Sequence, residues 1–196
     1  MVKVKKVLNV GCGAQMRIPE FDGWEMVRLD INPQYEPDIV INARQLCEIA
    51  VQFDAVYCSH NLEHHTMHDA GVVLQGMHSV LKPNGFVDII VPNIGKVLQE
   101  AAENKWDIDT FLYQSGAGPI TVGDMIYGHQ RQIELSVNPD FMTHRSGYSM
   151  RTLPLLLNWC GFPHVFVICK GFDLRCLGFL ERPTDEQMAE LGKARQ

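Results

Sequence analysis

A short, mostly apolar run, Val4 to Val10, opens the chain and stops at Gly11-Cys12-Gly13. Apolar and β-branched residues packed this closely predict a strand buried on both faces. Glu25 to Asp30 alternates and predicts a second strand, and Pro37 to Ile41 a short third one. The period then lengthens. Asn42 to Ala50 predicts a helix with Leu46, Ile49 and Ala50 turned inward. Phe53 to Cys58 predicts a fourth strand. From Asp69 to Leu81 the apolar positions Val72, Val73, Met77, Val80 and Leu81 fall at helical spacing, and Lys82-Pro83-Asn84-Gly85 ends that helix. Phe86 to Val91 predicts a fifth strand closed by Pro92, and Ile94 to Glu103 a helix.

The rhythm then breaks. Residues 104–147 carry glycines, aromatics and polar groups with no clear period, and a structureless insert this long in a compact domain is usually functional. After it, Ser149 to Cys160 predicts a helix with Ser149 as its start cap, despite Pro154 inside it. Val165 to Cys169 and Leu174 to Leu180 predict two last strands. Only Lys170-Gly171-Phe172-Asp173 separates them, so they pair as an antiparallel hairpin. The stretch from Pro183 is polar and predicts a fraying tail. Strands alternating with helices argue an α/β fold: a doubly wound, Rossmann-like, mostly parallel seven-stranded sheet ending in an antiparallel hairpin. The predicted organisation is one domain over 1–182, with 93–147 as a substrate lid and 183–196 as the tail.

Composition changes this picture little. The chain has 196 residues, enough for one sizeable core, and a net charge of −6, which argues against a protein that wraps nucleic acid. No apolar run is long enough to span a membrane. No apolar signal region follows the basic start, so a cytoplasmic location is expected. The six cysteines (12, 47, 58, 160, 169 and 176) form no Cys-x-x-Cys pair and read as free thiols.

The chemistry begins at the first glycine turn. Gly11 can take the positive φ of a tight turn, and Gly13 has no Cβ to keep a ligand off the backbone. A second strand ending in Asp30 supplies a carboxylate for the hydroxyls of a nucleotide-like ligand. A nicotinamide-binding fingerprint would need a small sixth residue, and Met16 stands there with Pro19 soon after.

These pieces resemble the class I S-adenosylmethionine-dependent methyltransferases. Val-Leu-Asn-Val-Gly-Cys-Gly at 7–13 is similar to that family's first motif, and Arg28-Leu29-Asp30-Ile31-Asn32-Pro33 to the acidic end of its second strand. Phe53 to His64 is similar to its fourth-strand segment, and Val80-Leu81-Lys82-Pro83-Asn84-Gly85-Phe86 to its helix-to-strand turn. The resemblance covers residues 4–92 and 149–180 and implies S-adenosyl-L-methionine as cofactor. It implies that Gly11, Cys12 and Gly13 lie beneath the methionine part, that Asn9 also belongs to the cofactor site, that Asp30 holds the ribose and that Ile31 packs on the adenine. Asn42 and Ala43 would reach the adenine edge, and Ser59 and His60 the reacting methyl. Three departures stand out. Gln15 replaces a third glycine, Pro19 and Gly23 leave little room for the helix that normally follows, and no helix precedes the first strand. Cover for the site must then come from 93–147 or another subunit.

Segment 59–68 holds His60, His64, His65 and His68. Were it helical, His60, His64 and His68 would share one face, as metal ligands can. The His-Glu-x-x-His order is absent, and no metal site is expected. General-base chemistry is the sharper reading, with His60, His64 and, from the insert, His144 as catalytic candidates. The bland one is that Glu63 and His64 brace the loop while His65 and His68 are solvated. The insert adds Tyr127, His129, Arg131, Arg145 and Tyr148. The expected activity is methyl transfer to oxygen or nitrogen of a small-molecule or saccharide-like acceptor, with no nucleic-acid or membrane partner and a homodimer allowed. A non-catalytic protein that keeps the cofactor fold is the alternative.

Overall fold

The computed structural model describes residues 4–136 and 138–193. Strands β1 (Lys6–Val10), β2 (Glu25–Asp30), β3 (Ile39–Val40), β4 (Phe53–Ser59), β5 (Leu81–Pro92), β8 (His164–Lys170) and β9 (Asp173–Phe179) form one seven-stranded sheet. Its order is β3-β2-β1-β4-β5-β9-β8. The first five strands run parallel, and β9 pairs antiparallel with both β5 and β8. After β3 the order of strand addition reverses and β4 joins the other side of β1, so the crevice at the carboxyl ends of β1 and β4 is where ligands sit in open α/β sheets.

Two apolar layers sandwich the sheet. On one face Leu8, Val10, Val56 and Ile89 pack under helices α1 (Met67–Ser79) and α5 (Thr152–Trp159), with Val73, Met77, Leu153 and Leu157 fully buried. Thr66 caps α1 by accepting from the Asp69 N–H. On the other face Val7, Ala55, Tyr57 and Phe86 meet a single turn, Pro19–Phe21. Phe21, Trp24 and Phe86 form an aromatic cluster there. No full helix links β1 to β2, as Pro19 and Gly23 foretold.

Within the sheet one charged pair is buried. The Asp88 carboxylate, 0% exposed, accepts two bonds from the Arg175 guanidinium, which also contacts Glu20 at 3.3 Å. The pair joins the parallel strands to the antiparallel hairpin. Removing one partner would leave a buried charge, at a cost of about 3–5 kcal/mol.

Several expectations need correction. The 42–50 helix is a 3-10 segment, Ala43–Glu48, with Leu46 buried but Ala50 exposed; Asn42 starts it by accepting from the Arg44 N–H. β5 begins at Leu81, so Lys82 to Gly85 lie within the strand rather than between elements. The expected helix from Ser149 begins at Thr152, and Ser149 Oγ accepts from the N–H groups of Arg151 and Thr152 just before it. The insert is not structureless. After α2 (Ile94–Asn104) it folds a hairpin, β6 (Phe111–Ser115) with β7 (Gly118–Thr121), then α3 (Val122–Tyr127) and α4 (Gln130–Leu135). A small core of Val97, Ile120, Val122 and Met125 holds it against α2. The tail forms α6 (Asp185–Lys193), with Leu191 only 7% exposed against the Phe21 face. Short amphipathic pieces of this kind carry too few turns for their period to stand out in sequence, and packing completes them. No described helix is long and apolar enough to cross a membrane.

Candidate functional site

A cavity opens at the carboxyl ends of β1, β2 and β3. Gly11, Asp30, Ile31, Ile41, Asn42, Ala43 and Arg44 line it, with Asn61, His64 and His65 on the β4 side. Asp140, Phe141 and Arg145 of the insert close it.

The glycine turn is pinned from below. The N–H groups of Gly11 and Cys12 both donate to Leu29 O, at 2.9 and 3.0 Å. Gly11 has φ +68° and Gly13 φ +48°, so both sit where side chains are disfavoured. A Cβ on Gly13 would meet nothing within 4 Å, which leaves that backbone open to close approach. A Cβ on Gly11 would lie 2.5 Å from Asn61 Cγ, because the Asn61 side chain packs across the turn. Asp30 is 8% exposed and accepts from Gly13 N–H at 2.9 Å and Asn32 N–H at 2.8 Å. Each carboxylate oxygen therefore keeps lone-pair capacity for a further donor.

Across the crevice, β4 ends at Ser59 and the backbone turns at His60, whose φ is +49°. The His60 N–H still donates to Ile90 O at 2.9 Å, which holds the turn to β5. Leu62–His64 form one 3-10 turn and α1 starts only at Met67. His60, His64 and His68 therefore share no helical face. His68 is exposed. His64 meets His144 of the insert instead, with ring centroids 5.2 Å apart. The insert is fastened here, since Arg145 N–H and Ser146 N–H both donate to Glu63 O, at 2.8 and 3.1 Å. His64 Nδ1 faces Thr143 O at 3.2 Å and His144 Nδ1 faces Met125 O at 2.9 Å. A carbonyl can only accept, so each Nδ1 donates, and in the neutral imidazole Nε2 is left with its lone pair.

Charge is concentrated at this corner. The Glu63 side chain is 2% exposed, and neither carboxylate oxygen has a hydrogen bond among the described residues. Its Oε1 lies 3.4 Å from His60 Nδ1, and His60 Nε2 lies 3.8 Å from Asp173 Oδ2. Burial would raise the Glu63 carboxyl, but His60 and then the other two imidazoles bring it below its ordinary range. Burial would lower His60, but Glu63 and Asp173 raise it. His144 is lowered, chiefly by burial. Asp173 is raised, again chiefly by burial.

Of the residues expected in the cofactor site, Gly11, Asp30, Ile31, Asn42 and Ala43 line the cavity, and His64 joins them from the catalytic set. Asn9 and Cys12 lie buried beneath the turn, Asn9 Nδ2 donating to Gln15 Oε1 at 3.4 Å. Ser59 and His60 fall outside the lining, and so do Gly13 and His144. Asn61, Arg44, His65 and Phe141 were not anticipated. Only the ligand-facing end of β4 could have suggested Asn61, and nothing local marks Phe141.

Residues 8–89 match the family model described as a methyltransferase domain. The fold is that of the class I methyltransferases. A S-adenosylmethionine-dependent methyltransferase from Archaeoglobus fulgidus superimposes with a TM-score of 0.56 at 15% identity, over 90% of this chain and 86% of that one. The 1,6-didemethyltoxoflavin-N1-methyltransferase of Burkholderia thailandensis, with its namesake compound and S-adenosylhomocysteine bound, gives 0.53 at 16% identity over 90% and 71%. A possible exported protein from Bordetella parapertussis gives 0.58 at 14% identity. The overlap there is 91% of this chain but 62% of that one, so this methyltransferase-fold chain spans less than two thirds of that relative's length. No curated protein sequence matches the chain.

Proposed function

We propose that the chain is an S-adenosylmethionine-dependent methyltransferase acting on oxygen or nitrogen of a small-molecule or saccharide-like acceptor. The observation that carries this reading is Asp30, a buried carboxylate fixed by two backbone N–H groups with a lone pair of each oxygen to spare, at the mouth of the β1–β2 crevice. Two neighbouring hydroxyls on a ribose suit such a carboxylate. Ile31, Ile41 and Ala43 give an apolar wall for a purine, and the unobstructed Gly13 backbone allows close approach. The residues present thus fit the cofactor. When bound it supplies a methyl group already activated on a sulfonium, so placement of the acceptor supplies much of the rate.

The chain's own part is to bind and orient. Asp30 holds the ribose, Ile31 and Ala43 the base, with Asn42 at its edge. On the acceptor side His60, at the turn that ends β4, takes a proton from an incoming hydroxyl, while the paired imidazoles of His64 and His144 help to place it.

Asn61 favours a second reading. Its side chain lies across Gly11, where the cofactor would pass, so a protein that keeps the fold without turnover would look like this. Calorimetric titration with S-adenosylmethionine, S-adenosylhomocysteine and NAD separates the two. Micromolar binding of the first two alone supports methyl transfer. Binding of none, in wild type and in Asn61→Ala, supports the second reading.

A further inference from the structure

We propose that Glu63, His64 and His144 form a binding site for one divalent transition-metal cation of the zinc type. One donor atom of each lies within 4.8 Å of the other two. Two further observations point to an ion rather than to a chance cluster.

The first is Glu63. A carboxylate whose side chain is 2% exposed, with both oxygens lacking a hydrogen bond, is costly to bury without a cation. His60 reaches it only at ion-pair distance and only at Oε1. The second is how the imidazoles are held. Each uses Nδ1 on a backbone carbonyl, Thr143 O for His64 and Met125 O for His144, which fixes the ring and frees Nε2. Metal-binding histidines are oriented by this kind of second contact. Two imidazoles and one carboxylate suit a borderline-soft cation such as zinc or ferrous iron, and not magnesium or calcium, which take oxygen ligands.

The fit needs small movement. Donors about 2.0–2.1 Å from one ion stand about 3.3 Å apart, so the trio closes by at most about 1.5 Å. Three protein ligands leave coordination open for a further group, and His64 also lines the cofactor cavity. An acceptor oxygen or nitrogen at the open position would face that cavity. That last clause rests on the methyl-transfer reading, but the ion site itself does not.

The site reverses the expectation of no metal, and reveals a ligand set different from the one weighed, His60, His64 and His68. The helical face that would have joined those three does not form. The insert brings His144 to Glu63 across 81 positions of sequence.

The test uses the full chain, stripped with a chelator and titrated with Zn²⁺ alone and with Co²⁺ alone, without any methyl donor. The site predicts saturable 1:1 binding, a rise in melting temperature with Zn²⁺, and visible Co²⁺ absorption bands of low coordination number. Glu63→Gln and His144→Ala should each weaken binding more than tenfold, and His68→Ala should leave it unchanged. Circular dichroism checks the fold. Glu63→Gln keeps the side-chain volume, so it decides alone if His144→Ala misfolds. No saturable binding to the folded wild type overturns the site, and so does binding that Glu63→Gln leaves unaltered. The donor titration is run on the stripped protein, so its failure is read separately.

Discussion

Asp30 and Glu63 are two buried carboxylates on the same edge of one sheet, and they live in opposite circumstances. Asp30 sits at the end of β2 with a backbone N–H on each oxygen. Both donors, Gly13 and Asn32, come from turns adjoining β1 and β2. Glu63 sits one turn beyond β4 with no hydrogen bond on either oxygen among the described residues and three imidazoles around it. One of those, His144, belongs to the insert. The proposed cofactor flank is thus satisfied by local backbone, with lone pairs left for a polar ligand's hydroxyls. The proposed acceptor flank is held together by charge, Glu63 with His60, and by a distant segment, and the proposed cation would complete it. A satisfied carboxylate keeps its shape without ligand, whereas an unsatisfied one makes the site depend on what binds.

The comparison breaks most visibly if the flanks prove to be one site. Asp30→Ala should weaken S-adenosylhomocysteine binding by about 2–3 kcal/mol, the scale for losing hydrogen bonds to a charged group, and leave Zn²⁺ affinity unchanged. Calorimetry with each ligand reads both. Movement of the two affinities together would show that the division is wrong.

Gly11→Ala acts on the border between them. Its φ of +68° strains any side chain, and the new Cβ collides with Asn61. A loss of about 1–3 kcal/mol in denaturant stability is expected. Asn61→Ala in the same chain should return the steric part and leave the backbone part.

A smaller effect is expected at Asp124, which holds the insert that carries Met125 O to His144. Asp124 accepts from the N–H groups of Thr121 and Gln130 and from the Thr121 hydroxyl. Burial would raise its carboxyl, but those donors bring it below its ordinary value. The sign follows: its contribution is complete above the unfolded value near 3.8 and fades as pH falls through the lower folded value. Asp124→Ala should cost about 1–2 kcal/mol at neutral pH, and the difference from wild type should shrink in acid. Thermal melts between neutral pH and pH 3 measure this. A difference that grew in acid would contradict the assignment.

The smallest effect belongs to His68. It is exposed and outside both flanks, so His68→Ala should change stability by less than about 0.5 kcal/mol. A larger loss would restore the idea that the histidines of 60–68 act together.

Much of the cofactor flank was legible because its causes are local. The Gly11-Cys12-Gly13 turn, the strand that ends in Asp30 and the Asn42-Ala43 start lie close to the strands that place them, and hydrophobic period fixes where strands end. The mostly parallel sheet followed from alternation, and its terminal hairpin from the short link before Asp173, which forces β8 and β9 antiparallel; the order of the strands across the sheet came only with the structure. The acceptor flank was legible only in part. His60, His64 and His144 could be named as candidates, because histidines in a strand-end loop and a long insert attract attention. That His64 turns to His144 and not to His68, that Glu63 is buried, and that Asp173 reaches His60 all depend on where segments far apart in sequence dock. The insert's hairpin and short helices were invisible for the same reason, their stability coming from Val97, Ile120, Val122 and Met125 packed together.

By itself, then, the order of apolar and polar residues determined the sheet, its direction and the glycine turn with its partner carboxylate, since each of these is written in short-range backbone preference and in which side chains can be buried. The tertiary structure alone decided which charges are neighbours. Burial and proximity of ionisable groups are set by contacts between distant segments, such as His64 Nδ1 with Thr143 O, 79 positions apart, and Tyr148 with Leu62, 86 apart, and no local pattern encodes them.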